Sequence, residues 1–294
     1  MSSPSFDITF IGHICRDEIT PFGGETRVSP GSAVLCGAMV APRVGARTAV
    51  VTRINSADAE LLAPLQALGV ETFATPCPVT TFARVVHFSA NVDERRLFVT
   101  RDPGPFTLDD LPAGLQTGII HLAGISDHEF TVEFIRNLRQ AGFRLSLDFQ
   151  SFVRVIGPDR EIIFSDFPAK REVAPLLEVA KLDVVEAEIL TGTRDLARAA
   201  RIIAAWGAKE VLITEQTGVT LAVGDNVYVE PFTNSSVVGR TGRGDTTISA
   251  YLARRRTHDP VESLRFAAAL VSVKMETPGP FTGTLNEVER RMAG

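Results

Sequence analysis

The chain has 294 residues, 30 Lys and Arg against 35 Asp and Glu, and a formal net charge of -5. With 45% apolar and 22% charged residues it has a globular composition, not a disordered one, and a chain of this length buries roughly 75% of its unfolded surface. Mild acidity argues against nucleic acid as a partner, since a phosphate backbone calls for a basic face.

In chain order, Phe6 to Gly12 is short, β-prone and closed by glycine, and predicts a strand. Small apolar residues from Gly31 to Gly45 predict a buried helix, Thr48–Thr52 a strand, and Asp58–Leu68 a helix with Leu61, Leu62, Leu65 and Leu68 on one face. A strand restarts at Gly69–Phe73, and this β-α-β-α-β order implies a parallel sheet covered by helices. The segment 80–100 breaks the alternation. It reads as two antiparallel strands around the turn Asn91-Val92-Asp93-Glu94, either a small β appendage joined by residues 15–30 or an antiparallel edge of the main sheet.

Alternation then resumes. Strands are expected at Gly118–Leu122, Phe143–Leu147, Leu182–Val185 and Glu210–Thr214, with helices at His128–Gln140 and Ala197–Trp206, the latter stopped by Gly207. A hairpin over Gly218–Ala222 and Asn226–Pro231 precedes two long helices, Gly244–Arg256 and Pro260–Lys274. Without repeats or a long linker, residues 1–294 read as one α/β domain.

The most informative stretch is Gly239-Arg240-Thr241-Gly242-Arg243-Gly244-Asp245 at the mouth of a predicted helix. Glycines let a backbone approach a ligand closely, and the unpaired amides of a helix start favour anions. The stretch is not a P-loop, because the chain contains no Gly-Lys dipeptide. Asp245 has two readings at this point, a helix N-cap or a carboxylate that takes a proton from a substrate hydroxyl beside a bound phosphate.

Thr241, Gly242, Gly244 and Asp245 match the D-T-T-G-A-G-D signature of the ribokinase/PfkB family of carbohydrate and nucleoside kinases, which the chain resembles over almost its whole length. The resemblance implies a three-layer α/β/α sandwich with a mostly parallel sheet and a small β lid at about 15–30 and 80–100. It implies ATP and magnesium as cofactors, Gly242, Arg243 and Gly244 as the anion hole, and Asp245 as the catalytic base. Gly239 replaces the leading Asp, which in relatives helps to arrange a monovalent-cation site, and Arg243 replaces the usual Ala.

Asp183-Val184-Val185-Glu186, followed by Leu190-Thr191-Gly192, resembles the family's N-x-x-E segment. Asp183 and Glu186 are then either magnesium-orienting carboxylates or an exposed acidic helix cap. Thr214 to Gly218 resembles the family's nucleotide loop with Gln216 for its first glycine, and Gly279 falls in its adenine-side turn. On the acceptor side, Asp17 and Gly31 match the residues that hold substrate hydroxyls, while Pro30 replaces one glycine and Leu35 lies near the usual Asn. A turn residue remains the other reading of Asp17.

The expected function is transfer of the γ-phosphoryl group of ATP to a hydroxyl of a sugar or of a polyol such as inositol. A nucleoside kinase and a catalytically weak sensor of the same fold are the alternatives. A dinucleotide oxidoreductase lacks its glycine fingerprint at Gly12-His13-Ile14-Cys15. The five histidines form no H-x-x-x-H pair that would favour zinc. Three scattered cysteines fit a reducing cytoplasm. No run reaches the roughly 18 apolar residues of a membrane span, and the N-terminus lacks the pattern of a signal peptide. A homodimer through the lid completes the expectations.

Overall fold

The computed structural model describes residues 5–89 and 94–293. Strand β1 (Phe6–Ile11) is followed by β2 (Cys15–Thr20) and β3 (Arg27–Gly31), then by helix α1 (Ala33–Ala38), β4 (Thr48–Ile54), the short α2 (Ala63–Gln66) and β5 (Glu71–Pro76). Next come β6 (Thr81–His87), β7 (Arg95–Arg101), β8 (Thr117–Leu122), α3 (Val132–Gln140), β9 (Leu145–Asp148) and the single turn α4 (Gln150–Val153). A hairpin of β10 (Arg154–Ile156) and β11 (Ile162–Phe164) leads to α5 (Lys170–Val173), β12 (Val179–Asp183), α6 (Val184–Thr191) and α7 (Leu196–Ala205). The chain ends with β13 (Glu210–Thr214), β14 (Gly218–Val223), β15 (Asn226–Pro231), α8 (Arg243–Arg254), α9 (Pro260–Met275) and α10 (Leu285–Ala293).

Nine strands form one sheet in the order β15-β14-β13-β12-β9-β8-β1-β4-β5. From β13 to β5 all neighbours are parallel, and β14 alone runs against its two neighbours. Strand periodicity sends alternate side chains to opposite faces. On β13, Leu212 joins a core with α1, α8 and α9, whereas Val211 and Ile213 join a second core with α3, α6 and α7. A sheet with both faces covered by helices is the three-layer arrangement that the sequence implied.

β3, β2, β6 and β7 pair in a separate four-stranded sheet. Of the turn expected at 91–94, all but Glu94 lies outside the described residues. The β10–β11 hairpin lies against the open edge of this second sheet. There the Val99 amide donates to Arg160 O at 2.9 Å, and Phe98 bridges to Glu161.

Several boundaries differ from the sequence expectation for local reasons. The strand expected at Leu182–Val185 stops at Asp183, whose side chain accepts from the Val185 and Glu186 amides and starts α6. The helix expected at Gly31–Gly45 breaks after Ala38 into a tight turn containing Pro42 and closed by Gly45 at φ 83°. The helix expected at 58–68 is mostly a tighter 3₁₀ coil, Ser56–Leu62, ahead of Pro64. The helix expected from His128 begins at Val132, capped by Thr131.

Buried Glu129 fastens together the carboxyl ends of β1 and β8. Its Oε2 accepts from the His13 amide at 2.7 Å and its Oε1 accepts from the Ile125 amide. Burial pushes Glu129 up from 4.5 to about 8 against the amide hydrogen bonds that favour its charge. Folding therefore takes up a proton in that window. The contribution to stability is full below about pH 4.5 and is lost as pH rises through about 8. Melting temperature across this range is expected to fall less steeply in Glu129→Gln than in the parent, and equal slopes in the two proteins would assign the pH dependence elsewhere.

Candidate active site

In an open α/β sheet, ligand sites form beyond the carboxyl ends of the parallel strands. β9 ends there in Asp148, β12 in Asp183 and β13 in Thr214. The start of α8 lies over the same edge, since a Cβ on Gly244 would meet Lys181 Nζ at 2.6 Å and Thr214 Oγ1 at 3.7 Å.

The turn into α8 is built by its glycines. Gly242 is the N-cap at φ 79°, and a side chain there would meet Cys36 Sγ at 2.7 Å. Asp245 is therefore the third residue of the helix and not its cap. Its carboxylate accepts no hydrogen bond among the described residues. The amide of Arg243 donates to Arg240 O at 3.2 Å and that of Thr246 to Gly242 O at 2.9 Å. The amides of Gly242, Gly244 and Asp245 find no acceptor among the described residues. Of the amides expected in an anion hole at Gly242, Arg243 and Gly244, that of Arg243 is used within the turn, while those of Gly242 and Gly244 stay open beside that of Asp245.

Beneath the turn lies a layer of buried charge. Lys181 Nζ donates to Asp148 Oδ2 at 2.7 Å, with both side chains almost fully buried. Burial favours neutral Lys181, but Asp148, Glu186, Asp245 and Asp183 outweigh it and hold the ammonium above its usual range. Arg154 reaches Glu186 Oε1 at 3.2 Å, and burial raises Glu186 against that pairing.

Asp183 and Glu186 form a reciprocal capping box, in which Glu186 Oε2 accepts from the Asp183 amide at 2.8 Å and Asp183 Oδ1 from the Glu186 amide at 2.9 Å. Glu186 is completely buried, so the reading of an exposed acidic cap does not describe it. Carboxylates are the right donors for magnesium. Both Glu186 oxygens are already engaged, and no group of three or more metal-ligating residues forms among the described residues. The chemistry of the pair fits a magnesium ion whose waters Asp183 and Glu186 would orient.

Asp17 lies on β2, opposite Ser29 of β3. Its Oδ1 accepts from the Cys15 thiol at 2.7 Å, and burial raises the Asp17 carboxyl. Gly31 makes room for this group, since a Cβ there would fall 1.9 Å from Asp17 Oδ2. The next residue, Ser32, has φ 127°, a conformation normally left to glycine, while its side chain caps α1 at the Leu35 amide. Burial pushes the Cys36 thiol up, and Asp245 and Asp17 add to the shift.

Other sequence-derived candidates stand apart. Gly218 closes the turn after β13, where the Glu215 amide donates to its carbonyl at 2.9 Å, and its missing side chain allows β15 to approach, with Glu230 O at 2.6 Å from a built Cβ. The Thr241 carbonyl accepts from Lys274. Gly279 is exposed at φ 81°, with no hydrogen bond to the other candidates among the described residues.

Sequence reasoning missed Lys181, Lys274 and Ser32. A signal existed for the two lysines, each the lone cation of a buried strand or helix stretch, Val179–Leu182 and Phe266–Met275. Ser32 carried none, because its backbone conformation is invisible in the sequence.

Residues 2–286 match the family described as pfkB family carbohydrate kinase. A solved pyrophosphate-dependent kinase in the ribokinase family, complexed with a pyrophosphate analog and myo-inositol, is 34% identical, with TM-score 0.88 over 96% of this chain and 99% of its own. The cytidine kinase of Thermococcus kodakarensis is 26% identical over 267 residues, 87% of this chain and 91% of that protein. Arabidopsis thaliana ribokinase, complexed with ribose and ATP, shares the fold at 18% identity, with TM-score 0.75 over the full length of both chains.

Lys181→Met leaves the Asp148 carboxylate buried without its ammonium, which is expected to cost about 3–5 kcal/mol of unfolding free energy. Lys181→Met combined with Asp148→Leu should regain most of that loss in urea titrations. If the double variant loses as much as the sum of the single ones, the two groups are not coupled.

Proposed function

The chain belongs to the pfkB family of carbohydrate kinases, phosphotransferases that act on hydroxyl groups, and from that premise we propose that it phosphorylates myo-inositol or a closely related polyol with inorganic pyrophosphate as the donor. The 34% identity to a pyrophosphate-dependent relative solved with myo-inositol, over 96% of the chain, supports both substrates. Arg243 in place of Ala and Gln216 in place of a nucleotide-loop glycine also favour a small, highly charged donor over a nucleotide. ATP is the second reading, favoured by the likeness to a cytidine kinase and by the Thr214–Gly218 loop. In that reading Thr214, Gly218, Thr241 and Gly279 line the nucleotide.

One observation carries the mechanism. Among the described residues, Asp245 is a carboxylate without a hydrogen bond and shares its helix start with amides that have no acceptor. Phosphoryl transfer runs through a loose transition state, so positioning and electrostatics do most of the work. Asp245 holds the acceptor hydroxyl in line and takes its proton as the new oxygen–phosphorus bond forms and the bridging P–O bond of pyrophosphate breaks, releasing orthophosphate. The amides of Gly242, Gly244 and Asp245 take up charge on the transferring oxygens, aided by the helix dipole and by Lys181 below. Asp183 and Glu186 would orient the waters of a magnesium ion bound with the donor, which would supply neutralisation of the phosphate charge. Asp17, in the space left by Gly31, receives a second hydroxyl of the acceptor.

The whole chain acts as one kinase domain, with the four-stranded sheet as a lid that excludes water from the reaction. The lid exposes Phe22, Val28 and Phe88, an apolar set that a second copy would cover in a homodimer. Free cysteines, two of them buried, fit the reducing cytoplasm. No helix among the described residues is long and apolar enough to cross a membrane.

Phosphate release and inositol phosphate formation, measured with pyrophosphate and with ATP over a panel of polyols, sugars and nucleosides, test the assignment. Faster turnover with pyrophosphate and myo-inositol is expected, and transfer to nucleosides alone would sink it. Asp245→Asn should lower turnover by about 10²–10⁴-fold while donor binding persists. Undiminished turnover in that variant would remove Asp245 from the chemistry.

A further inference from the structure

The side chain of Lys274 has no part in the chemistry above, yet it is buried at the foot of the turn that carries it. Its ammonium donates to the carbonyls of Gly239 and Thr241. The amide of Gly239 donates to Met275 O at 2.8 Å, so the turn is stapled at both ends to the last turn of α9. A side chain at position 239 is impossible on this path, because its Cβ would lie 1.9 Å from Thr277 O and 2.7 Å from Lys274 O. No carboxylate can therefore enter the cradle from that position.

A trans peptide sets its carbonyl and its amide in opposite directions. Fixing the Thr241 carbonyl onto Lys274 turns the Gly242 amide away from α9, and fixing the Gly239 carbonyl does the same for the Arg240 amide. The charge is also near the reacting groups. Burial draws the Lys274 ammonium below its usual range, against the opposing influence of Cys36 and Asp245, and Arg243 adds to the lowering. Converging backbone carbonyls, shielded from water, are the surroundings in which a dehydrated monovalent cation binds. Here both carbonyls are already committed to an ammonium, and residue 239 adds no charge, so the cradle does not fit a second cation.

We propose that Lys274 is the built-in cation of the donor site, a positioning residue that holds the anion-binding turn in register and makes the enzyme independent of potassium and sodium. The inference rests on the phosphotransferase reading, but its test does not depend on turnover alone.

Wild-type rate and melting temperature, measured at constant ionic strength in potassium, sodium or tetramethylammonium chloride, should not distinguish the cations. Specific activation or stabilisation by potassium would overturn the proposal. Lys274→Ala opens the cradle. Its affinity for the non-hydrolysable donor methylenediphosphonate, followed by calorimetry, should fall about 10–100-fold, as for the loss of hydrogen bonds to a charged group. Potassium or ammonium should recover part of this affinity and raise the melting temperature of the variant, with no such effect on wild type. A fully folded Lys274→Ala that binds the analogue normally, or stays weak whatever cation is added, would refute the role. If Lys274→Ala does not fold, Lys274→Gln, which keeps a donor but no charge, takes its place, with the same weakened binding expected and normal binding contradicting it. A protein that binds the analogue but phosphorylates nothing would sink the kinase reading and leave this one standing.

Discussion

The site depends on donors at the start of α8 that have no acceptors among the described residues. The first amides of any helix have no partner within it, and a folded chain normally satisfies them with a side-chain cap or with water. Here the cap is Gly242, which offers no side chain, and the nearest carboxylate, Asp245, does not turn back to serve as one. The neighbouring helix α6 makes the opposite choice, closing its start with the Asp183–Glu186 capping box. Two helix starts at one edge of the sheet are thus treated differently, one sealed by its own acids and the other left uncapped among the described residues.

An open helix start attracts anions, but it also needs a rigid floor. Three cations lie close below it. Lys181 is held by Asp148, Arg154 by Glu186, and Lys274 by carbonyls of the turn itself. Buried pairs of this kind contribute little net stability compared with apolar residues of the same volume. Their value lies in placement. Each fixes a charge that water would otherwise screen, and the surrounding acids keep Lys181 charged in spite of its burial.

Much of this was legible in the sequence, and the reasons are local. The alternation of strands and helices, the hairpin at 218–231 and the long final helices follow from periodicity and turn residues, which short-range physics governs. The glycine turn before Asp245 was legible because closely spaced glycines have few other uses. What escaped notice depended on partners distant in sequence. Lys181 gains its meaning from Asp148, 33 residues away, and Lys274 from a carbonyl 35 residues away. The start of α6 and the early end of β12 were missed for a different reason, because competition between a strand and a helix cap at Asp183 is decided by a few hydrogen bonds. The strained φ of Ser32 leaves no trace in composition at all.

Gly239, Arg243 and Lys274 are best understood as one exchange. A carboxylate at the head of the turn and a small residue within it suit a donor loop whose charge is balanced by a mobile cation. This chain removes the carboxylate, because Thr277 O and Lys274 O occupy the space where a side chain would project. It installs a covalently attached ammonium on the inner side of the turn and a guanidinium in its sequence at position 243. The exchange raises the fixed positive charge around the same few amides. A donor carrying most of its charge on two adjacent phosphorus centres gains more from such a site than one whose binding energy is spread over a base and a sugar.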